Sequence, residues 1–192
     1  MIMESSLKNM VLTLLVITLV SAISVGLVYK VTAAPIAKAN ADNSVAALKA
    51  VLPEFDNNPI EAPQTVDTDG TAVTVYTARK GGQVVGYAVQ TLSSRGFSGP
   101  ITLMAGFKPD GEIINIEVLN HSETPGLGDK IENSKSNFSV QFKGKNPATF
   151  RLSVKKDGGD VDAITASTIS SRAYSDAVMR AYNAVKQITG EK

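Results

Sequence analysis

A chain of 192 residues has room for one ordinary domain and a membrane segment, and its 43% hydrophobic and 19% charged residues argue for a packed core over general disorder. The formal net charge is +1 with no block of like charges, which argues against a nucleic-acid partner. With no cysteine and a single histidine, His121, the chain cannot form a disulfide, ligate an iron–sulfur cluster or build a histidine-rich metal or haem site, so redox chemistry would need an organic cofactor.

Residues 9–29, NMVLTLLVITLVSAISVGLVY, form an uncharged stretch. At 1.5 Å per residue such a helix spans roughly 30 Å, the thickness of a bilayer's hydrocarbon core. Lys8 at one end, and Tyr29 with Lys30 at the other, suit the two interfaces. A cleaved signal peptide is the rival reading, with Val31-Thr32-Ala33 as its cleavage site, but a secretory apolar region runs only about 7–15 residues. The flanking charges are nearly balanced and leave the orientation open. A pilin-like subunit also begins with an apolar helix, yet this span lacks the acidic residue that such assembly uses.

Residues 36–52 read as a helix with Ala37, Val45, Ala46, Leu48, Ala50 and Val51 on its apolar face, ended by Pro53. The proline-rich run 53–66 reads as a loop. Alternation predicts strands around Val73–Thr77 and Val84–Leu92, separated by Gly81-Gly82. Two more are predicted at 101–107 and 112–119 around the turn Pro109-Asp110-Gly111. A short helix near 129–136 and strands around 138–142 and 150–154 are expected next. A final helix spans about Ser170–Ile188, with Ala173, Ala177, Val178, Ala181, Val185 and Ile188 as its buried stripe. This order indicates an α+β fold with a mostly antiparallel sheet and flanking helices. The division is an amino-terminal segment 1–8, a transmembrane helix 9–29, a helix and linker 30–66, and a domain 67–192.

Chemistry concentrates at 162–171, DAITASTISS, where Thr165, Ser167, Thr168, Ser170 and Ser171 precede the last helix. The first turn of a helix offers unpaired N–H groups and a positive dipole end, which suit a phosphate. Asp162 is placed to cap or turn the backbone into the segment. Ser and Thr before a helix are more often simply caps, and on local grounds that reading leads.

The segment resembles the flavinylation motif of FMN-binding domains, whose pattern is Asp, two variable-to-small positions, Ser or Thr, Gly, Ala, Thr. Asp162 and Thr165 match; Ala166 stands where glycine is usual, Ser167 where alanine is usual, and Thr168 falls on the acceptor threonine. A second match is HSETPGLG at 121–128, directly after the predicted strand EIINIEVLN. The loop GFSGPI at 96–101 and the hairpin MAGFKPDGEI fit as well. Over roughly residues 70–185 the chain is similar to G subunits of Rnf-type ion-translocating electron-transport complexes. C subunits of sodium-pumping NADH:quinone oxidoreductases are close relatives that are typically longer.

The resemblance implies FMN joined through a phosphoester to Thr168 by a separate flavin transferase. It implies membrane and redox subunits as partners, coupling ferredoxin- and NAD-type electron transfer to ion translocation. It also implies an anchor in a lipid bilayer, the inner membrane, with residues 1–8 in the cytoplasm and the domain on the periplasmic side. Alongside Asp162, Thr165, Ala166, Ser167, Ser170 and Ser171, the expected cofactor contacts are Glu123, Thr124, Pro125, Gly126, Leu127 and Gly128. The glycines would let backbone approach the ring, and Glu123 is the polar group expected beside it, or else a turn residue or a cap for the helix starting near Asp129. Tyr87 and Phe97 are further aromatic candidates, although strand aromatics are usually core. Two other classes stay open on the residues alone: a membrane-anchored binding or assembly module, and a hydrolase, disfavoured by one histidine and no G-x-S-x-G elbow.

Overall fold

The computed structural model describes residues 6–190. Most of the segment 1–8, expected in the cytoplasm, lies outside the described residues. Contacts divide the chain into an amino-terminal unit through Asp42 and a domain from Asn43 onward.

Helix α1 (Leu7–Val51) contains the apolar stretch, which is exposed along its length and long and apolar enough to cross a membrane. It continues through 30–35, joining the helices expected at 9–29 and 36–52 into one. Ala33 and Ala34 are strong helix formers, and Thr32 turns its hydroxyl back onto the Val28 carbonyl at 2.8 Å. The helix runs on through Pro35, which has no N–H for the Val31 carbonyl one turn back. Its last turns bury Ala47, Leu48 and Val51, joined by Leu52; of the expected apolar face Leu48 and Val51 are buried, while Ala37, Val45, Ala46 and Ala50 are exposed.

The domain is built on a five-stranded antiparallel sheet in sequential order: β1 (Gln64–Thr68), β2 (Thr71–Lys80), β3 (Gln83–Ser93), β4 (Ile101–Phe107) and β5 (Ile113–Asn120). β1 begins inside the loop expected at 53–66 and runs two residues past it. Its hairpin with β2 turns at Asp69-Gly70, both with positive φ (54° and 73°), the two-residue turn that matches strand twist.

Alternation sends the two sheet faces to different partners. Ala78, Ala88 and Met104 meet the end of α1, and Gly106 is required there because a Cβ would come within 2.9 Å of the Val51 side chain. Asn115 Nδ2 donates to the Ala50 carbonyl at 3.0 Å on the same face. Val73, Val75, Val89, Leu103 and Phe107 face the other way, onto helix α2 (Thr168–Thr189). The expected stripe is buried along α2, with Ile188 only partly covered.

The chain between β5 and α2 departs most from expectation. Residues 129–136 yield one 3-10 turn at Gly128–Ile131, and 138–142 forms another instead of a strand. Around 150–154 there is only an isolated bridge, Val154 to Val161. Phe138 and Phe142 look strand-like in composition, but both pack edgewise or tilted against buried Tyr174 of α2, with ring centroids 5.2 Å away. They serve as core plugs under the helix. The edge of β5 is covered by the Gly144 amide donating to the Ile113 carbonyl, by the Ile113 amide donating to the Lys145 carbonyl, and by Asn133 Nδ2 donating to the Ile116 carbonyl at 2.8 Å.

Candidate functional site

Loop 121–127 leaves the end of β5 and faces the start of α2 across a cleft of about 290 Å³. Glu123, Thr124, Leu127 and Gly128 line one wall; Ala166, Ser167, Thr168, Ile169 and Ser170 line the other. Phe97, from the loop between β3 and β4, completes the lining and is 67% exposed. The two sequence segments that resemble the FMN-binding motifs, some forty residues apart, thus share one cavity. Asp162, Thr165, Ser171, Pro125 and Gly126 do not line it, and Tyr87 is a core residue facing α2.

The helix start leaves donors available. Ser171 makes the first intrahelical amide bond, to the Ser167 carbonyl at 3.0 Å, so the amides of Thr168, Ile169 and Ser170 precede it. Ser167 occupies the cap position without a side-chain cap bond. These amides and the helix dipole favour an anion.

The five hydroxyls separate by what they bond. Ser171 Oγ donates to the Ser167 carbonyl and accepts from the Ile164 amide at 2.9 Å, holding the segment from inside. Ser170 Oγ donates to Glu123 Oε2. Thr165 is exposed and outside the cleft. Ser167 is buried at 6% exposure, and Thr168 is half-buried at the cavity wall. Only these last two hydroxyls face the cleft without a committed bond to another side chain or carbonyl.

Asp162 neither caps nor turns the segment. It is exposed and paired with Lys155 Nζ at 2.7 Å. Its backbone is clamped instead by the Gln141 side chain, which accepts from the Asp162 amide at 2.7 Å and donates to its carbonyl at 3.1 Å. Ala166 follows with φ +61°, a left-handed conformation suited to glycine. Arg172 holds the preceding loop through two bonds to Asp157, at 2.6 and 2.7 Å, and this guanidinium keeps the Asp157 carboxyl below its ordinary range.

Glu123 has a role that sequence reasoning missed. At 4% exposure its carboxylate accepts from Ser170 Oγ of α2 and from the Ser98 amide at 3.1 Å. It ties three segments together around the cleft and does not cap the turn at Asp129. Gly128 belongs to the same knot: a Cβ there would meet Glu123 Oε2 at 2.6 Å and Ser170 Oγ at 2.7 Å. Gln141 and Arg172 were also absent from the sequence reading, since nothing in their spacing points to a loop over twenty residues away or to an acid in an irregular turn.

The FMN-binding domain family matches residues 96–183, a range that contains every residue lining the cleft. The chain is 38% identical over 169 residues to the G subunit of an ion-translocating oxidoreductase complex of Cereibacter sphaeroides, covering 85% of this chain and 77% of that protein. It is 34% identical over 194 residues to the corresponding G subunit of Vibrio cholerae, covering 96% of this chain and 93% of the relative. With the G subunit of Shewanella loihica it shares 44% identity over 108 residues, 55% of this chain and 51% of that one. An amino-terminal apolar helix, an antiparallel α+β domain and a cleft built from the matched motifs come together in a chain that belongs to the family of G subunits of ion-translocating oxidoreductase complexes.

Proposed function

We propose that this chain is a membrane-anchored electron-carrier subunit of an ion-translocating oxidoreductase complex, with FMN held in the cleft as a phosphoester of Thr168. The observation that carries the cofactor site is the convergence of the 123–128 loop and the α2 start on one cavity that contains an uncommitted threonine hydroxyl beside unpaired amides.

The residues present fit such a group. The amides of Thr168, Ile169 and Ser170 suit a phosphate. Phe97, Leu127 and Ile169, each among the exposed large apolar residues, suit the flat faces of a ring system. Gly128 keeps the wall open where any side chain would fill it. The cleft's volume sits at the small end of ligand pockets, so a bound flavin keeps part of its surface toward a partner. Bound FMN supplies the acceptance and release of electrons, which no side chain of this chain provides.

Formation of the linkage needs help from outside. Among the described residues no carboxylate or imidazole hydrogen-bonds to the Thr168 hydroxyl, and an unassisted threonine is a weak nucleophile. A flavin transferase using FAD would supply the base: the Thr168 oxygen bonds to the flavin-side phosphorus, the bond to AMP breaks, and the hydroxyl proton passes to the transferase. That reading places the domain on the periplasmic side, with α1 crossing lipid and the other subunits moving the ion while electrons pass between ferredoxin- and NAD-type carriers.

The test is intact mass and in-gel flavin fluorescence of the chain isolated from its own membrane. Both should report one covalent FMN, and Thr168→Ala should lose it while keeping the fold by circular dichroism. Flavin persisting in that variant moves the linkage elsewhere, and a bare-chain mass from the native membrane rejects it.

A further inference from the structure

Immediately behind the cleft sits the chain's single histidine. His121 opens the loop that carries Glu123, and its side chain is 13% exposed. Nδ1 accepts from the Glu123 amide at 3.0 Å, and Nε2 lies 2.6 Å from Glu132 Oε1. A backbone amide can only donate, so Nδ1 must carry no proton. The ring is then neutral, with its proton on Nε2 and donated to the Glu132 carboxylate. This contact holds the Glu132 carboxyl below its ordinary range, and Ser134 Oγ adds a bond to Glu132 Oε2 at 2.9 Å. One ring state satisfies both neighbours at once.

We propose that His121 is a positioning residue for the cleft: its neutral ring, protonated at Nε2 alone, fixes the turn that aims Glu123 at Ser170, and proton uptake at Nδ1 releases that turn. A second ring proton would face the Glu123 amide donor to donor, so the bond at Nδ1 is lost while the pair with Glu132 strengthens. Loop 121–128 then loses one of its ties and keeps those that the Glu123 carboxylate makes to Ser170 and to the Ser98 amide. The other charged groups on the elements packed around the ring are Glu117 of β5, bound by Asn133 Nδ2 at 2.7 Å, and Asp129, Lys130 and Lys135 of the following turns. Of these, Lys135 and Asp129 stand 4.0 Å from each other. Among the described residues Glu132 is the one acid within bonding distance of the ring. The histidine's link to flavin rests on the function proposed above; its link to loop order does not.

The experiment uses the full chain in detergent, made without a flavin transferase and labelled with 15N-histidine, which gives one ring to observe. At high pH the ring should show a proton on Nε2 and none on Nδ1. Hydrogen exchange over 121–128, corrected for intrinsic rates, should lose protection roughly fivefold as the ring takes up its second proton, the worth of about one hydrogen bond. His121→Gln keeps an acceptor for the Glu123 amide and a donor for Glu132 but cannot titrate, so it should keep high protection with no pH step. His121→Phe should lack the protection at every pH. In flavin-loaded chain the visible absorption band should shift at the same midpoint, and His121→Gln should abolish that shift. A proton on Nδ1 in the neutral ring, unchanged loop protection through the titration, or a surviving pH step in His121→Gln each overturns the proposal. A bare-chain mass from the native membrane would reject the flavin assignment alone and leave the ring and exchange results to stand or fall by themselves.

Discussion

Ala166 carries a conformational cost at the mouth of the cleft. Its φ of +61° crowds a Cβ against the backbone, at about 1–2 kcal/mol for an L-residue. Ala166→Gly should therefore stabilise the domain by about 1 kcal/mol net of glycine's greater unfolded freedom, seen as a Tm higher by roughly 2–4 °C. No rise in Tm would mean that neighbouring contacts already relieve the strain. Tyr174 is a different case: its ring is fully buried, and its hydroxyl has no hydrogen-bond partner among the described residues. Burial pushes that phenol well above its ordinary range. Since the folded group holds its proton more tightly than the unfolded one, its contribution is complete below pH about 10 and declines as pH rises further. Tyr174→Phe should be neutral to stabilising at pH 7 and should flatten the alkaline loss, read from melting curves at pH 7 and above 10. At this scale the meeting of Thr168 with Glu123 at one cleft was legible through the two motifs, and the side-chain partners of Asp162 and Glu123 were not. The partners of their carboxylates, Lys155 for one and Ser98 with Ser170 for the other, are set by tertiary packing that no local spacing encodes.

At the level of elements, the cleft depends on loop 121–127 staying open against α2. Gly128→Ala does not meet a forbidden backbone angle, because its φ is not among the positive ones, so its effect is purely steric. The added methyl should displace Glu123 and Ser170, lower stability by about 1–3 kcal/mol and cut covalent flavin loading. Tm and flavin-to-protein absorbance measure the two effects separately, and normal loading would show that this wall is not part of the flavin site. The sheet and α2 were readable because alternation and helical periodicity were long enough to register. β1 was missed since Pro63 and the short QTVDT run look like loop, although Asp69-Gly70 was a hairpin signal in plain sight. At 138–142, where a strand was expected, the aromatic residues pack under Tyr174 from a 3-10 turn instead of an extended backbone.

For the molecule as a whole, the division at residue 42 separates an apolar anchor from a domain with its own core. A chain of residues 43–192 should leave the membrane fraction and melt cooperatively in buffer, whereas the full chain should require detergent. Membrane retention of the shortened chain would give the domain a binding surface of its own. Sidedness can be read cleanly because the native chain has no cysteine. A single Lys186→Cys should react with an impermeant maleimide in intact spheroplasts if the domain is periplasmic, and only after lysis if it is cytoplasmic. The anchor was evident from the residues alone, while its side of the membrane was not, since the lysines around it nearly balance.

The covering of β5 by Gly144, Lys145 and Asn133 has a further consequence for that shortened chain. An open strand edge is a template on which copies of a protein can add to one another. Here one edge is occupied by the chain itself, and the other, β1, is five residues long, carries Asp67 and gives its Thr68 carbonyl to Arg180. A domain freed from its lipid anchor should thus remain in solution when concentrated, instead of growing into fibrils.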